Sequence, residues 1–150
     1  SCHVGLRRHA QVWGVMGCCT EFYKTKAWRQ YGFSSTNDFV QGYYANWFLP
    51  MDPNNLLTMA WKWQHGDSSR NTNGDLAAAL GRIKAKTFVI PFEQDMFFPL
   101  GDTEHEQQMI ANSELRVIPS LWGHFTMLSM DQTDHKKIDD ALKELLAIDV

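Results

Sequence analysis

Residues 84–150 alternate between two hydrophobic patterns, and this alternation limits the possible folds more than any other feature. The runs 87–92 and 115–118 are rich in β-branched and aromatic residues, as buried strands are. A polar helix is predicted over 102–111, and Thr133 can cap a last helix whose apolar residues recur at helical spacing. Strands separated by helices pair in parallel, so this region predicts an α/β sheet.

Residues 6–83 lack this alternation and are predicted to be helical throughout. Apolar residues recur at helical spacing over 6–31, and a capping-box pattern begins at Ser35. Asp52 and Pro53 pair an N-cap residue with a proline at the first helical position. A parallel sheet does not require such a region, so we interpret it as a helical insertion or cap.

Composition excludes several classes of protein. The chain carries 14 basic and 17 acidic side chains, for a net charge of −3, which gives no electrostatic reason to expect nucleic-acid binding. No apolar run approaches the ~18 residues of a membrane-spanning helix. Three cysteines cannot build a disulfide framework. We therefore expect no nucleic-acid or membrane partner, and the cytoplasm is the default location.

Most of the chemically reactive residues do not match a known catalytic or metal-binding motif. His105-Glu106 would need a second histidine at 109 to resemble a zinc-protease helix, and Met109 stands there. Cys19 would need a glycine at 21 to be an elbow nucleophile, but that residue is Glu21. Cys18 and Cys19 are therefore expected to be small apolar residues inside a helix. No metal site and no cofactor are expected.

Asp95 and His124 stand out because each follows a predicted strand. In open α/β sheets, active sites form beyond the carboxyl ends of the strands. If the two strands are neighbours, an acid at 95 can accept the ring N–H of His124 and fix its tautomer. The alternative is an aspartate that caps a loop and a histidine in a turn. Spacing alone favours neither interpretation.

Several segments of the chain resemble motifs that occur in the same order in one family of enzymes. FLPMDPNNLL at 48–57 resembles that family's FDPNSYL stretch, and QDMFFP at 94–99 resembles its SDxLFPP motif. SLWGH at 120–124 is similar to SxxGH, and 79–90 resembles ALxxIxAPxLVV. GLRRHA at 5–10 is similar to the start of the family's helical cap. Together these segments resemble the homoserine O-acetyltransferase-like branch of the α/β-hydrolase superfamily.

This resemblance implies the C-terminal half of an α/β-hydrolase fold, with its last parallel strands and helices after a helical cap. The cap would cover 6–83 and the core would cover 84–150, with the first half of the core absent and Ser1 at a truncation point. Asp95 and His124 would be the acid and base of a Ser-His-Asp triad. The family's nucleophile elbow, a relative of G-x-S-x-G, lies upstream of the cap and does not occur in this sequence.

The sequence departs from the family directly after the histidine. The family has an aspartate there, linked to holding the amino group of homoserine, whereas this chain has Phe125. A phenyl ring cannot pair with an ammonium group as a carboxylate does, so the substrate is expected to differ from homoserine. Phe125, Trp122 and Trp61 are candidates for the substrate pocket. Trp47 and Trp63, like Trp61, could line an acyl channel or pack the cap.

The predicted function is therefore serine-dependent acyl transfer to an alcohol or to water. The expected partners are a small ester or thioester and an acyl acceptor, with acyl-CoA as a conceivable co-substrate, and the cap could form a homodimer. The isolated 150 residues are expected to be inactive without the serine. Two alternatives stay open: a non-catalytic binding module with this fold, and an all-helical interaction protein.

Overall fold

The computed structural model describes residues 2–148, and the chain divides after Gly66 into two units, Ser1–Gly66 and Asp67–Val150. Within residues 2–66 the regular structure is entirely helical, whereas the second unit combines helices with two short strands.

The units divide after Gly66, whereas the sequence suggests a division between cap and core at 83/84. Helix α6 (Leu76–Leu80) belongs to the second unit. The polar loop before it folds back on this helix, because Thr72 Oγ1 donates to the carbonyl of Asp75 at 2.6 Å. Arg82 also donates to the carbonyl of Asn71 at 3.4 Å. These hydrogen bonds join the loop and α6 in one unit.

The first unit contains five α-helices among its described residues: α1 (His3–Met16), α2 (Thr20–Lys24), α3 (Thr36–Phe39), α4 (Asn46–Phe48) and α5 (Pro53–His65). A 3₁₀ turn covers Ala27–Tyr31, and a π-helical stretch, Val40–Ala45, joins α3 to α4 without a break. The predicted second helix is therefore one continuous segment with a wider turn in its middle, and it ends before Pro50 as expected.

Polar side chains start two of these helices where the sequence predicts. Ser35 Oγ accepts the backbone N–H of Asp38 at 3.0 Å. The carboxylate of Asp38 accepts the backbone N–H and the hydroxyl of Ser34, both at 2.8 Å, one residue ahead of the usual capping-box partner. Asp52 accepts the backbone N–H two residues on at 2.9 Å and places Pro53 at the first helical position. Both predicted N-caps are confirmed.

Aromatic rings around Phe39 form the centre of the first unit. Phe22, Phe39 and Tyr44 are fully buried. The ring of Phe39 lies 5.1 Å from those of Phe22 and Phe33, and it stacks on Tyr43 at 5.2 Å. Such contacts add to the free energy gained from burying large apolar rings. Helix α5 differs, because it has no buried residue.

The second unit is built on two parallel strands, β1 (Thr87–Val89) and β2 (Ser113–Leu115). Thr87 pairs with Ser113 and Val89 with Leu115. Helix α7 (Leu100–Gln107) lies between the strands in sequence, and α8 (Gln132–Leu146) follows them. The predicted order of strand, helix, strand and helix is present, so the all-helical alternative is wrong for this unit.

The second strand is displaced from its predicted position. The apolar run predicts 115–118, but the regular pairing covers β2 and is followed only by an isolated parallel bridge between Phe92 and Ile118. Backbone pairing, rather than side-chain hydrophobicity, sets the start of the strand. Glu114 lies inside it because Lys86 and Arg116 form ion pairs with its carboxylate.

The ends of two helices also differ from prediction. Helix α7 begins at Leu100 rather than Asp102, because Pro99 precedes the helix and its carbonyl accepts the backbone N–H of Asp102. The N-cap of α8 is Asp131 rather than Thr133. Asp131 Oδ1 accepts the backbone N–H of Thr133 at 2.8 Å, so Thr133 is a donor in the first turn.

No helix within residues 2–148 combines the length and the apolar character that crossing a bilayer requires.

We expect Phe39→Ala to lower the free energy of unfolding by about 3–5 kcal/mol, because it empties the centre of a closely packed aromatic cluster. Leu57→Ala on exposed α5 is the matched control, and we expect it to change stability by less than about 0.5 kcal/mol. Urea unfolding followed by circular dichroism measures both. Equal effects of the two substitutions would show that the cluster does not hold this unit together.

Candidate active site

The loops that follow β1 and β2 leave the sheet side by side. After Val89 and Leu115 the backbones stay paired, because Ile118 N–H donates to the carbonyl of Pro91 at 3.0 Å. Glu93 N–H in turn donates to the carbonyl of Ile118 at 3.0 Å. Asp95 follows the first strand in sequence and His124 the second, so the parallel pairing brings both residues to the same edge of the sheet.

Asp95 and His124 form a buried hydrogen bond. His124 Nδ1 lies 2.9 Å from Asp95 Oδ2, and both residues are 7% exposed. His124 lies in a 3₁₀ helix, Gly123–Leu128, which begins at a glycine with φ +52°. The aspartate can accept the Nδ1 hydrogen, which leaves Nε2 as the basic nitrogen of the neutral ring. The two residues that the sequence singled out are therefore in direct contact.

The second carboxylate oxygen of Asp95 shapes its own loop. Oδ1 accepts the backbone N–H of Phe97 at 2.7 Å and that of Phe98 at 3.1 Å. The two geometries considered for Asp95 are therefore both present: Oδ1 caps the loop, and Oδ2 pairs with His124. Because the loop fixes Oδ1, the direction of Oδ2 toward His124 is fixed as well.

The carboxyl group of Asp95 is buried, yet its pKa lies below its usual range. Burial is the largest single influence and raises its pKa, but the other contributions together outweigh it. The hydrogen bond from His124, those from the backbones of Phe98 and Phe97, and the attraction to the imidazole lower the pKa below its usual range. The site therefore keeps a negative charge beside His124, where it can stabilise an imidazolium.

Aromatic rings surround the imidazole. The ring centroid of Phe97 lies 4.6 Å from that of His124, and the centroids of Phe98 and Phe125 lie at 5.5 and 6.2 Å. Phe125 is buried, whereas Phe98 is 58% exposed. Sequence reasoning did not single out Phe97 or Phe98. Their position directly after a strand-end aspartate is the signal that could have identified them.

The other pocket candidates occupy different settings. Trp122 is buried in the loop that carries His124. Trp61 belongs to exposed helix α5 of the first unit, and its ring stacks on that of His65 at 4.4 Å. Phe125 and Trp122 are therefore buried in the segment that carries His124, within the second unit. Their roles toward a substrate stay predictions.

Cys18 and Cys19 are both buried, but neither lies inside a helix, where the sequence predicts them. Cys18 lies in the turn between α1 and α2, and Cys19 is the N-cap residue of α2. Cys18 Sγ lies 3.2 Å from the hydroxyl of Tyr44, and burial raises the pKa of the Cys18 thiol to about 12. A thiol held neutral in this way is a poor nucleophile. Among residues 2–148, no group of three or more His, Cys, Asp or Glu side chains could hold a metal ion.

No protein-family model matches the chain. In sequence it is 52% identical over 141 residues to a probable esterase of Corynebacterium glutamicum, an alignment with 94% of this chain and 40% of that protein. It is also 52% identical over 143 residues to an ethyl acetate hydrolase of Pseudomonas veronii, with 95% of this chain and 41% of that protein. The chain thus spans about two-fifths of the length of these curated relatives.

Solved structures of ester hydrolases share the fold of this chain. The acetyl esterase MekB matches it with a TM-score of 0.94 at 51% identity, over 97% of this chain and 42% of that one. An acetylester hydrolase from Corynebacterium glutamicum matches with a TM-score of 0.92 at 51% identity, over 95% of this chain and 41% of that one. The chain is therefore similar to proteins named as ester hydrolases, and its parallel strands and helices correspond to part of an α/β fold.

The pH dependence of stability tests the state of Asp95. Its pKa is lower in the folded chain than in the unfolded one, so the ionised carboxylate contributes stability above about pH 4, and this contribution is lost as the pH falls through the lowered value. We expect the difference in unfolding free energy between wild type and Asp95→Asn to shrink as the pH falls below about 4, where the wild-type carboxylate becomes protonated.

Asp102→Asn is the matched control, because this aspartate is exposed on α7. Its urea-unfolding profile, measured at the same pH values, gives the effect of removing one exposed carboxylate, and the profile of Asp95→Asn is compared with it. A difference for Asp95→Asn that is the same at pH 6 and at the acid limit would contradict an ionised Asp95 bound to His124.

Proposed function

We propose that Asp95 and His124 are the acid and base of a serine-dependent ester hydrolase. In this proposal the nucleophilic serine and the oxyanion donors come from a part of the protein outside this sequence. The 2.9 Å hydrogen bond between Asp95 Oδ2 and His124 Nδ1, buried beyond two adjacent parallel strands, is the observation that carries the proposal. It is the arrangement by which an aspartate orients a general base.

The proposed reaction proceeds through an acyl-serine. With its Nδ1 hydrogen donated to Asp95, His124 accepts the serine hydroxyl proton at Nε2 while the serine oxygen attacks the ester carbonyl. The tetrahedral intermediate collapses as the C–O bond to the alcohol breaks, and the imidazolium returns its proton to the departing alcohol. Water then attacks the acyl-serine, again with His124 as base, and releases the acid and the free serine. The charge of Asp95 stabilises both imidazolium states.

The similar proteins support a short acyl group as the substrate class. One is named for the hydrolysis of ethyl acetate and two solved structures for that of acetyl esters. We accordingly propose a small acetyl or similarly short-chain ester as the substrate. No cofactor takes part in this chemistry.

Transfer of the acyl group to an alcohol would use the same residues, so the choice between hydrolase and acyltransferase depends on access of water to the acyl-serine. The resemblance to homoserine O-acetyltransferases suggests transfer, with an acyl-CoA as donor. Phe125 opposes this finer assignment, because it is a buried phenyl ring where that family has a carboxylate. Water is therefore the proposed acceptor.

Acyl-enzyme formation in the full-length protein encoded by this gene tests the proposal. A fluorophosphonate probe should label one serine, and p-nitrophenyl acetate should be hydrolysed. We expect His124→Ala to slow labelling on the order of 10⁶-fold and Asp95→Asn on the order of 10⁴-fold. His105→Ala and Asp102→Asn, both exposed on α7, are the matched controls and should label like the wild type.

Two results would overturn the proposal. Wild-type protein that hydrolyses no ester and takes up no probe would favour the non-catalytic binding module. Labelling that is unchanged in both site variants would show that Asp95 and His124 do not activate the nucleophile.

We also expect the isolated 150 residues to hydrolyse p-nitrophenyl acetate no faster than free imidazole at the same concentration, because a base without its nucleophile forms no acyl-enzyme. The comparison is made at equal concentrations and neutral pH. Faster hydrolysis by this chain, abolished by His124→Ala, would contradict the assignment of the serine to another part of the protein.

A further inference from the structure

A buried hydroxyl ties the histidine loop to helix α8. Ser120 lies shortly before His124 and is itself buried. Its Oγ accepts the backbone N–H of Trp122 at 3.1 Å and donates its own hydrogen to a carboxylate oxygen of Asp134. The loop backbone is thereby fixed at the residue before Gly123, where the chain turns into the helix that carries His124.

The carboxylate of Asp134 is not needed to cap α8. Asp131 already accepts the backbone N–H groups of Thr133 and Asp134, at 2.8 and 3.3 Å. Asp134 is nevertheless 6% exposed, and burying a carboxylate is costly unless hydrogen bonds and opposite charge compensate. The compensation comes from Ser120 and from Lys137, whose Nζ lies 3.4 Å from the other carboxylate oxygen. The carboxylate of Asp134 therefore binds the loop and does not cap the helix.

Helix α8 holds the same loop at a second point. Lys137 Nζ donates to the carbonyl of Pro119 at 3.3 Å, next to Ser120. Between these anchors and His124 lies Gly123, with φ +52° in the left-handed region. Glycine reaches many backbone conformations with little steric cost. The direction of the loop at this residue thus depends on contacts from outside, and α8 supplies them.

The loop carries the base of the proposed reaction, and the alignment of that base is demanding. The hydrogen bond between His124 and Asp95 weakens steeply as its angle and length depart from the ideal. A shift of about 1 Å at a reacting group can lower a rate on the order of 10²-fold. The position of a loop that carries a general base must therefore be fixed to within a fraction of an ångström.

We infer that Ser120 and Asp134 are positioning residues for His124. Asp134 holds the hydroxyl of Ser120, Ser120 holds the backbone of Trp122, and His124 consequently stays aligned with Asp95. This inference rests on the proposed function, because it assigns the pair to the base of that reaction.

Steady-state kinetics of the full-length protein with p-nitrophenyl acetate test the inference. We expect Ser120→Ala and Asp134→Ala each to lower kcat about 10- to 100-fold while KM stays within about twofold. Asp134→Asn keeps an oxygen that can accept the hydroxyl of Ser120, so it should retain most of kcat. Asp139→Asn is the matched control on the same helix, since it removes only the exposed ion pair with Lys143, and its kcat should equal that of the wild type.

A spectroscopic readout separates positioning from a loss of folded protein. Proton NMR of histidine-labelled protein detects the His124 Nδ1–H donated to Asp95 as a downfield resonance, assigned by its absence in His124→Ala. The resonance should be present in the wild type, Asp134→Asn and Asp139→Asn. It should broaden or vanish in Ser120→Ala at temperatures well below the Tm of that variant.

The two proposals fail in distinguishable ways. If the wild type neither labels nor hydrolyses esters, the proposed function is wrong, and a resonance that still depends on Ser120 and Asp134 would support their positioning of His124. If the wild type is active, but Ser120→Ala and Asp134→Ala change only Tm and leave kcat and the resonance as they were, the positioning inference is overturned. A loss in Asp134→Asn as large as in Asp134→Ala would also overturn it, because the acceptor oxygen would then not matter.

Discussion

Parallel pairing of β1 with β2 brings the carboxyl ends of both strands to one edge of the sheet. Two short strands and the bridge between Phe92 and Ile118 suffice to set this geometry. A shift of the pairing by one residue would turn the side chains of one strand to its other face and move the start of the following loop. The contact between Asp95 and His124 follows from this register, since each residue lies in the loop that leaves its strand.

Local and long-range interactions meet on the single carboxylate of Asp95. The backbone N–H groups of Phe97 and Phe98 fix one oxygen, while the other bonds to His124. In a buried position such hydrogen bonds are stronger than in water, and an unpaired charge would be correspondingly costly. The carboxylate that closes the loop therefore also orients the imidazole. This coupling explains how a carboxylate can stay ionised while largely shielded from solvent.

The sequence predicted the elements that depend on local signals. The N-caps at Ser35 and Asp52 and the alternation of strands and helices in the second unit follow from side-chain type and spacing, and the structure contains them. Other features depend on contacts between distant residues. The start of β2 at Ser113 is set by backbone pairing, and a folded polar loop holds α6 in the second unit. The proximity of Asp95 and His124 was predictable, because the carboxyl ends of parallel strands lie at the same edge of a sheet. The hydrogen bond between Ser120 and Asp134 joins a loop to a helix, and no sequence pattern predicts it.

The proposed chemistry explains why so much structure supports a pair that cannot act alone. A general base oriented by an acid accelerates acyl transfer only when it faces a nucleophile, and the members of a triad act as a unit rather than additively. Within this chain the pair is held from three directions: by the sheet register, by the backbone N–H groups after Asp95, and by α8 through Ser120. Hydrogen bonds of this kind satisfy buried polar groups in any domain. In the proposed enzyme they have a second role, because they hold the two residues in position to meet a serine and a set of oxyanion donors from another part of the protein.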